Sequence, residues 1–223
     1  MRALRKNIYI SICILLVFCF LSGCDERMPE KVGYFEDASF FMNGTEYTRV
    51  EETSDTVYIK GGFIGISDDG KKSIYSVMYD ERSEFIIAES VGVLTEKEST
   101  LYSCTDTDRI SSDTPTSVYL ADIYKTVYVR SDDELEKHLS VLENEEAMIS
   151  SYKYGEFTER EIKIYYCYDG RAVASEKIGV LVKTGSGWVY TPTAFFDDEK
   201  NGIVKGRIIS DSETVSYFES KMK

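Results

Sequence analysis

Phe40-Phe41-Met42-Asn43-Gly44-Thr45-Glu46-Tyr47-Thr48-Arg49-Val50 is the stretch that decides the fold class. Asn-Gly is a favoured pair for a two-residue hairpin, because both turn positions take positive φ. Phe40 to Met42 and Thr45 to Val50 are therefore expected as paired strands. The same punctuation recurs on both sides. Val57 to Lys60 and Phe63 to Ile66 flank Gly61-Gly62, and Asp69-Gly70 leads into Ser73 to Tyr79. Asp80 to Ser83 turns the chain into Phe85 to Glu89, with further strands expected at Val91 to Leu94 and Thr100 to Cys104. Short strands at such regular spacing predict a β sandwich or a small barrel.

Thr105 to Thr116 is polar, contains Pro115 and three aspartates, and marks a boundary. A β-like stretch follows from Val118 to Arg130. Ser131-Asp132-Asp133-Glu134 then fits a capping box, with Ser131 as N-cap and Glu134 three residues on. Leu135, His138, Leu139 and Leu142 fall on one helical face, so the helix is expected over about 131–144. Strands return at Glu161 to Tyr168 and Arg171 to Ser175 around Asp169-Gly170. Lys177 to Lys183 and Trp188 to Thr191 flank Gly185-Ser186-Gly187, and Ile203 to Ile209 follows Asn201-Gly202. Val215, Phe218 and Met222 suggest a short C-terminal helix from near Ser212. The expected class is β-rich α+β. An antiparallel β sandwich or small barrel covers 34–110 and a linker covers 111–117. An α+β domain with one main helix, an antiparallel meander and the closing helix covers 118–223.

The start of the chain reads as an address. Arg2, Arg5 and Lys6 precede an apolar run from Ile8 to Phe20, broken by Ser11. A membrane-spanning helix needs about 20 apolar residues, more than this run supplies. Leu21-Ser22-Gly23-Cys24 closes it, and charge begins at once with Asp25 and Glu26. This tetrad resembles the lipobox of bacterial lipoproteins. The resemblance covers only the signal region. It implies cleavage between Gly23 and Cys24, and alkylation of the Cys24 thiol with diacylglycerol. Further acylation, palmitate for example, would follow. Residues 1–23 are then a signal peptide and 24–33 a lipidated cysteine with a short tether. The implied location is extracytoplasmic, anchored to the cell membrane at the bacterial cell envelope.

The mature part holds about 200 residues, with 23 basic against 39 acidic side chains, a net charge of −16. Bulk charge of that sign excludes nucleic acid and disfavours anionic headgroups as partners. Cys13 and Cys19 leave with the signal, and Cys24 is committed to lipid. Cys104 and Cys167 remain as a candidate disulfide in an oxidising compartment, worth about 4 kcal/mol if formed.

No catalytic set is assigned. His138 is the only histidine and sits on an apolar helical face, where packing explains it. Ser150-Ser151-Tyr152-Lys153 fits S-x-x-K and Lys183-Thr184-Gly185 fits K-T-G, both found in serine β-lactamases. Those enzymes place the serine at a helix N-terminus, and no S-D-N triplet is present here; Lys183-Thr184-Gly185 reads as a hairpin end. Asp106, Asp108 and Asp113, and Asp197-Asp198-Glu199, are acidic loops without EF-hand spacing, so neither a metal nor a cofactor is expected. Tyr166 and Tyr168 share a strand face with Ile162 and Ile164. Tyr165 lies with Lys163 and Cys167 on the opposite face, which is available to present Tyr to a glycan or protein. Trp188 is expected in the core or at its edge. Together these features point to a non-catalytic binding or interaction module with an envelope protein or glycan as partner. The rivals are a carboxylate-dependent hydrolase of envelope or host glycans and a small-ligand-binding lipoprotein.

Overall fold

Asn43 and Gly44 have φ of +51° and +78°, the left-handed pair that a tight hairpin requires. Around them β2 (Ser39–Met42) and β3 (Thr45–Arg49) pair antiparallel, with Phe40 opposite Tyr47 and both rings buried. The computed structural model describes residues 29–91, 98–105, 115–144, 147–153, 160–174, 176–185, 187–196 and 203–223. Five more strands complete the first sheet: β1 (Lys31–Glu36), β4 (Lys60–Ser67), β5 (Lys72–Val77), β6 (Phe85–Ser90) and β7 (Ser99–Ser103). Their order is β1-β2-β3-β7-β6-β5-β4, and a parallel β1/β4 seam closes them into a barrel. Phe40, Tyr47, Ile74, Ile86, Ala88 and Tyr102 fill part of the interior. Of the two expected architectures, the barrel is the one found.

The second sheet contains β8 (Pro115–Ala121), β9 (Thr126–Arg130), β10 (Ile149–Lys153), β11 (Arg160–Tyr168), β12 (Glu176–Thr184), β13 (Gly187–Pro192) and β14 (Ile203–Ile209). Its order is β10-β14-β13-β12-β11-β8-β9, antiparallel at every pairing. The β11 to β14 run is the expected meander. Helices α1 (Asp133–Leu142) and α3 (Ser212–Lys221) pack on one face. Leu135, Leu139, Leu142, Val215 and Phe218 meet Val118, Leu120, Ile162, Ile164 and Leu181 there. A single turn, α2 (Thr193–Phe196), follows β13.

The opposite face of this sheet is covered by the barrel. Tyr119, Tyr165, Cys167 and Ala174 pack against Val57 and Ile59, and Val57 forms an isolated bridge with Ala174. Ala172, fully buried, packs on the outer wall of the barrel among Val77, Phe85, Ile87 and Leu101, which alternate along their strands with the interior Ile86, Ala88 and Tyr102. The Tyr119 hydroxyl donates to the Ala172 carbonyl at 2.6 Å and fixes that contact. Tyr79 stacks on Tyr128 with centroids 4.4 Å apart, and Arg130 pairs with Glu81 at 2.5 Å. Barrel, sheet and helices thus form three consecutive layers sharing buried contacts.

Several expectations are corrected. Gly61-Gly62 does not separate two strands but lies inside β4, where register shifts against β5 mark bulges that glycine accommodates. Val118 to Arg130 is two strands, turned at Asp122 to Lys125. Arg171 to Ser175 does not form a strand over its described residues; both sides of β11 are already paired, with β8 and β12, and Ala172 packs on the outer wall of the barrel instead. The N-cap of α1 is Asp132, whose carboxylate accepts the Leu135 N–H at 2.7 Å, while Ser131 donates to Glu136. The helix accordingly spans 133–142 within the expected 131–144. Lys31 to Gly33 belong to β1 and not to the tether, and Pro115 to Ser117 belong to β8 and not to the linker. Residues 92–94 of the Val91 to Leu94 strand lie outside the described residues.

Candidate functional site

The β8–β9 turn carries the two most exposed large apolar side chains among the described residues, Ile123 at 86% and Tyr124 at 87%. The turn is held from below. Asp122 Oδ1 accepts the N–H groups of Tyr124 at 2.8 Å and Lys125 at 2.9 Å, and Asp122 N–H donates to the Lys125 carbonyl. An aspartate bonding its own backbone two residues on is a local turn former that needs neither Gly nor Pro. Arg160, at the start of β11, stands 3.6 Å from Asp122 Oδ2 and donates to the Met222 carbonyl at 2.8 Å. It therefore ties the turn to the end of α3. Burial alone would raise the Asp122 carboxyl, but the two N–H groups and the Arg160 guanidinium outweigh it and hold it below its usual value. A cleft of about 580 Å³ opens beside the turn, lined by Ile123, Tyr124, Lys125, Arg160, Glu161 and Lys223 among others. Fixed backbone, exposed apolar tip and adjoining cleft are what a docking surface needs.

Sequence-singled residues fall elsewhere. Cys24 and Gly23 lie outside the described residues, as do Asp106, Asp108, Asp113 and Asp197 to Glu199. Cys104 and Cys167 are both free, so the candidate disulfide does not form. Cys104 follows the last barrel strand and packs with the barrel core, whereas Cys167 faces Tyr119 and Tyr165 in the second sheet. Burial pushes the Cys167 thiol up to about 12; burial and then Glu84 raise Cys104. Both thiols are therefore poor nucleophiles.

His138 is 1% exposed, with Nδ1 2.8 Å from Thr214 Oγ1 and the Tyr217 ring 4.4 Å away. Thr214 donates its only hydroxyl proton to Asp211 at 2.5 Å, so the network assigns the proton on His138 Nδ1 as the donor to Thr214. The histidine is a buried strut between α1 and α3. Asp211 also caps α3, accepting the Thr214 N–H at 3.1 Å. The Thr214 hydroxyl, then its N–H, hold the Asp211 carboxyl below its usual value. A depressed folded pKa stabilises above the unfolded value, and that stability is lost as pH falls through the folded value. Asn caps a helix about as well without titrating. The urea midpoint of the wild type should therefore exceed that of Asp211→Asn by a constant margin near neutrality, and the margin should close below about pH 4.

Ser150 to Lys153 lie in strand β10, where no helix N-terminus meets Ser150, and Lys183-Thr184 end β12 at a hairpin. The Tyr165 face is not presented to a partner: Tyr165 and Cys167 are buried under Val57 and Ile59 of the β3–β4 connection. Tyr166 donates to Glu143 and Tyr168 to Glu176. Trp188 is half-buried at the edge of the helix-side core. Among the described residues no three His, Cys, Asp or Glu converge to hold a metal, and no helix is long and apolar enough to cross a membrane. The sequence signal missed was Asp122, since Ile123-Tyr124 continue the apolar alternation of a strand. No protein-family model, curated protein or solved structure matches this chain.

Proposed function

We propose that this chain is a lipid-anchored extracytoplasmic interaction module of the bacterial cell envelope, which docks a partner protein on the β8–β9 turn. The exposed Ile123-Tyr124 pair on its fixed turn carries the reading. An exposed aliphatic–aromatic pair costs solubility unless something covers it, and Tyr is enriched where partners bury an interface. A glycan would ask for a flat aromatic platform; a branched Ile beside Tyr suits a protein pocket better. The cleft beside the turn, with Lys125 and Arg160 on its wall, would receive a side chain of that partner. The lipobox Leu21-Ser22-Gly23-Cys24 supports the location.

A photo-crosslinking side chain placed at Ile123 in the anchored protein on intact cells should give one discrete adduct. The same group at Glu134, on the exposed side of α1, should give none. Tyr124→Ala should weaken binding to the partner so identified by at least about tenfold, equivalent to about 1.4 kcal/mol. Equal labelling from both positions would refute the docking surface.

A further inference from the structure

The entry of the chain into the barrel points to a second contact. Ile66 N–H donates to the Glu30 carbonyl at 2.9 Å, and Lys31 lies opposite Ile66 in the parallel seam. Gly65 makes this approach feasible: a Cβ there would fall 2.5 Å from the Glu30 oxygen and 2.4 Å from Val32 Cγ1. Because the seam is parallel, Glu30 and Pro29 run back along β4 towards Phe63. Five peptide links separate Pro29 from Cys24, a reach of at most about 18 Å.

Phe63 and Ile64 stand exposed on that part of β4, at 52% and 36%. Neighbouring residues of a regular strand point to opposite faces, but the bulges on either side of Phe63 turn both outward. Tyr75 sits edge-on to Phe63 at 5.6 Å, and Lys60 Nζ lies 4.6 Å from the Tyr75 centroid. Gly61 and Gly62 leave the neighbouring surface low. An apolar pair beside a tyrosine suits a membrane interface, while the Lys60 ammonium is held by Glu89 at 2.6 Å. The mature chain carries −16 overall, so repulsion from anionic lipid disfavours a contact through its acidic faces.

We propose that the outer surface of β4 around Phe63 and Ile64 rests on the bilayer that the Cys24 lipid enters. The inference rests on the lipid-anchor reading. It gives the anchored protein a fixed orientation, with one side of the barrel on the membrane.

The test uses the lipidated full chain reconstituted in vesicles of phosphatidylcholine and phosphatidylglycerol, with and without brominated acyl chains. In a Trp188→Phe background, Phe63→Trp reports on the patch and Tyr124→Trp on the docking turn. Ile64→Trp serves as a second reporter, and each variant is checked by its thermal unfolding. Bromolipid should remove most of the Phe63→Trp emission and leave that of Tyr124→Trp. A chain that co-floats with vesicles yet keeps its Phe63→Trp and Ile64→Trp emission overturns the patch and leaves the anchor reading standing. A chain that neither co-floats nor carries diacylglycerol on Cys24 overturns both. Protection of these positions in native membranes but not in pure lipid overturns the lipid contact in favour of a protein one.

Discussion

Cys24→Ala leaves the protein unlipidated: it is recovered in the soluble fraction, or it accumulates as a precursor with residues 1–23 still attached. Alkylation requires a thiol nucleophile, which alanine lacks. An acyl chain contributes about 0.8 kcal/mol for each methylene it buries, and one chain alone gives only marginal, reversible binding. Removing the whole set therefore abolishes anchoring outright. Membrane fractionation and mass measurement of the N-terminal peptide read the result. Unchanged membrane association together with unchanged processing would show that the Leu21-Ser22-Gly23-Cys24 reading is wrong.

Ala172→Glu should be the most damaging single change in the folded part. Ala172 is fully buried between Val77, Phe85, Ile87 and Leu101, where the second sheet packs on the outer wall of the barrel. A carboxylate there is too large for the gap and meets an apolar lining. Burying an unpaired charge in a packed core belongs to the small group of changes that cost about 4 kcal/mol or more. For a chain of this size that corresponds to a fall in Tm of roughly 8–16 °C. The Val57–Ala174 bridge and the Tyr119–Ala172 hydrogen bond flank the same position, so the loss should spread to the contact between the layers. Circular dichroism melting of purified protein measures it. A Tm within about 2 °C of wild type would mean that the contact contributes less than about 1 kcal/mol.

Signals confined to a few residues were legible in the sequence. Asn43-Gly44 needs only its own backbone preference to turn β2 into β3. The helix from Asp133 announced itself through Leu135, Leu139 and Leu142, while its cap slipped by one residue because Ser131 and Asp132 are both good caps. What failed depended on distant partners. Ala172-Val173 has the composition of a strand, but β11 is paired on both sides, and the outer wall of the barrel supplies the apolar surface that takes these residues. Gly61-Gly62 carries the signature of a turn, yet β5 holds it within a bulged strand. Glycine there is a response to a neighbour and not an instruction to the chain. The β8–β9 turn was hidden for a related reason. Ile123-Tyr124 looks like strand core until the Asp122 carboxylate is seen gathering two backbone N–H groups beneath it.

The parallel seam between β1 and β4 also has a mechanical meaning. On the proposed lipid anchoring, tension on the lipid end would reach the barrel through Pro29 and Glu30 and be applied along β1. The bonds Ile66 N–H to Glu30 and Asp68 N–H to Gly33 then share the load in shear, with the Lys31 Nζ bond to the Asp68 carbonyl beside them. On the other side of β1, the rungs to β2 from Tyr34 to Glu36 are loaded in the same direction. A hairpin pulled open from its end breaks its bonds one after another; here they resist together. The strand that closes the barrel is thus also the one that would bear the proposed mooring.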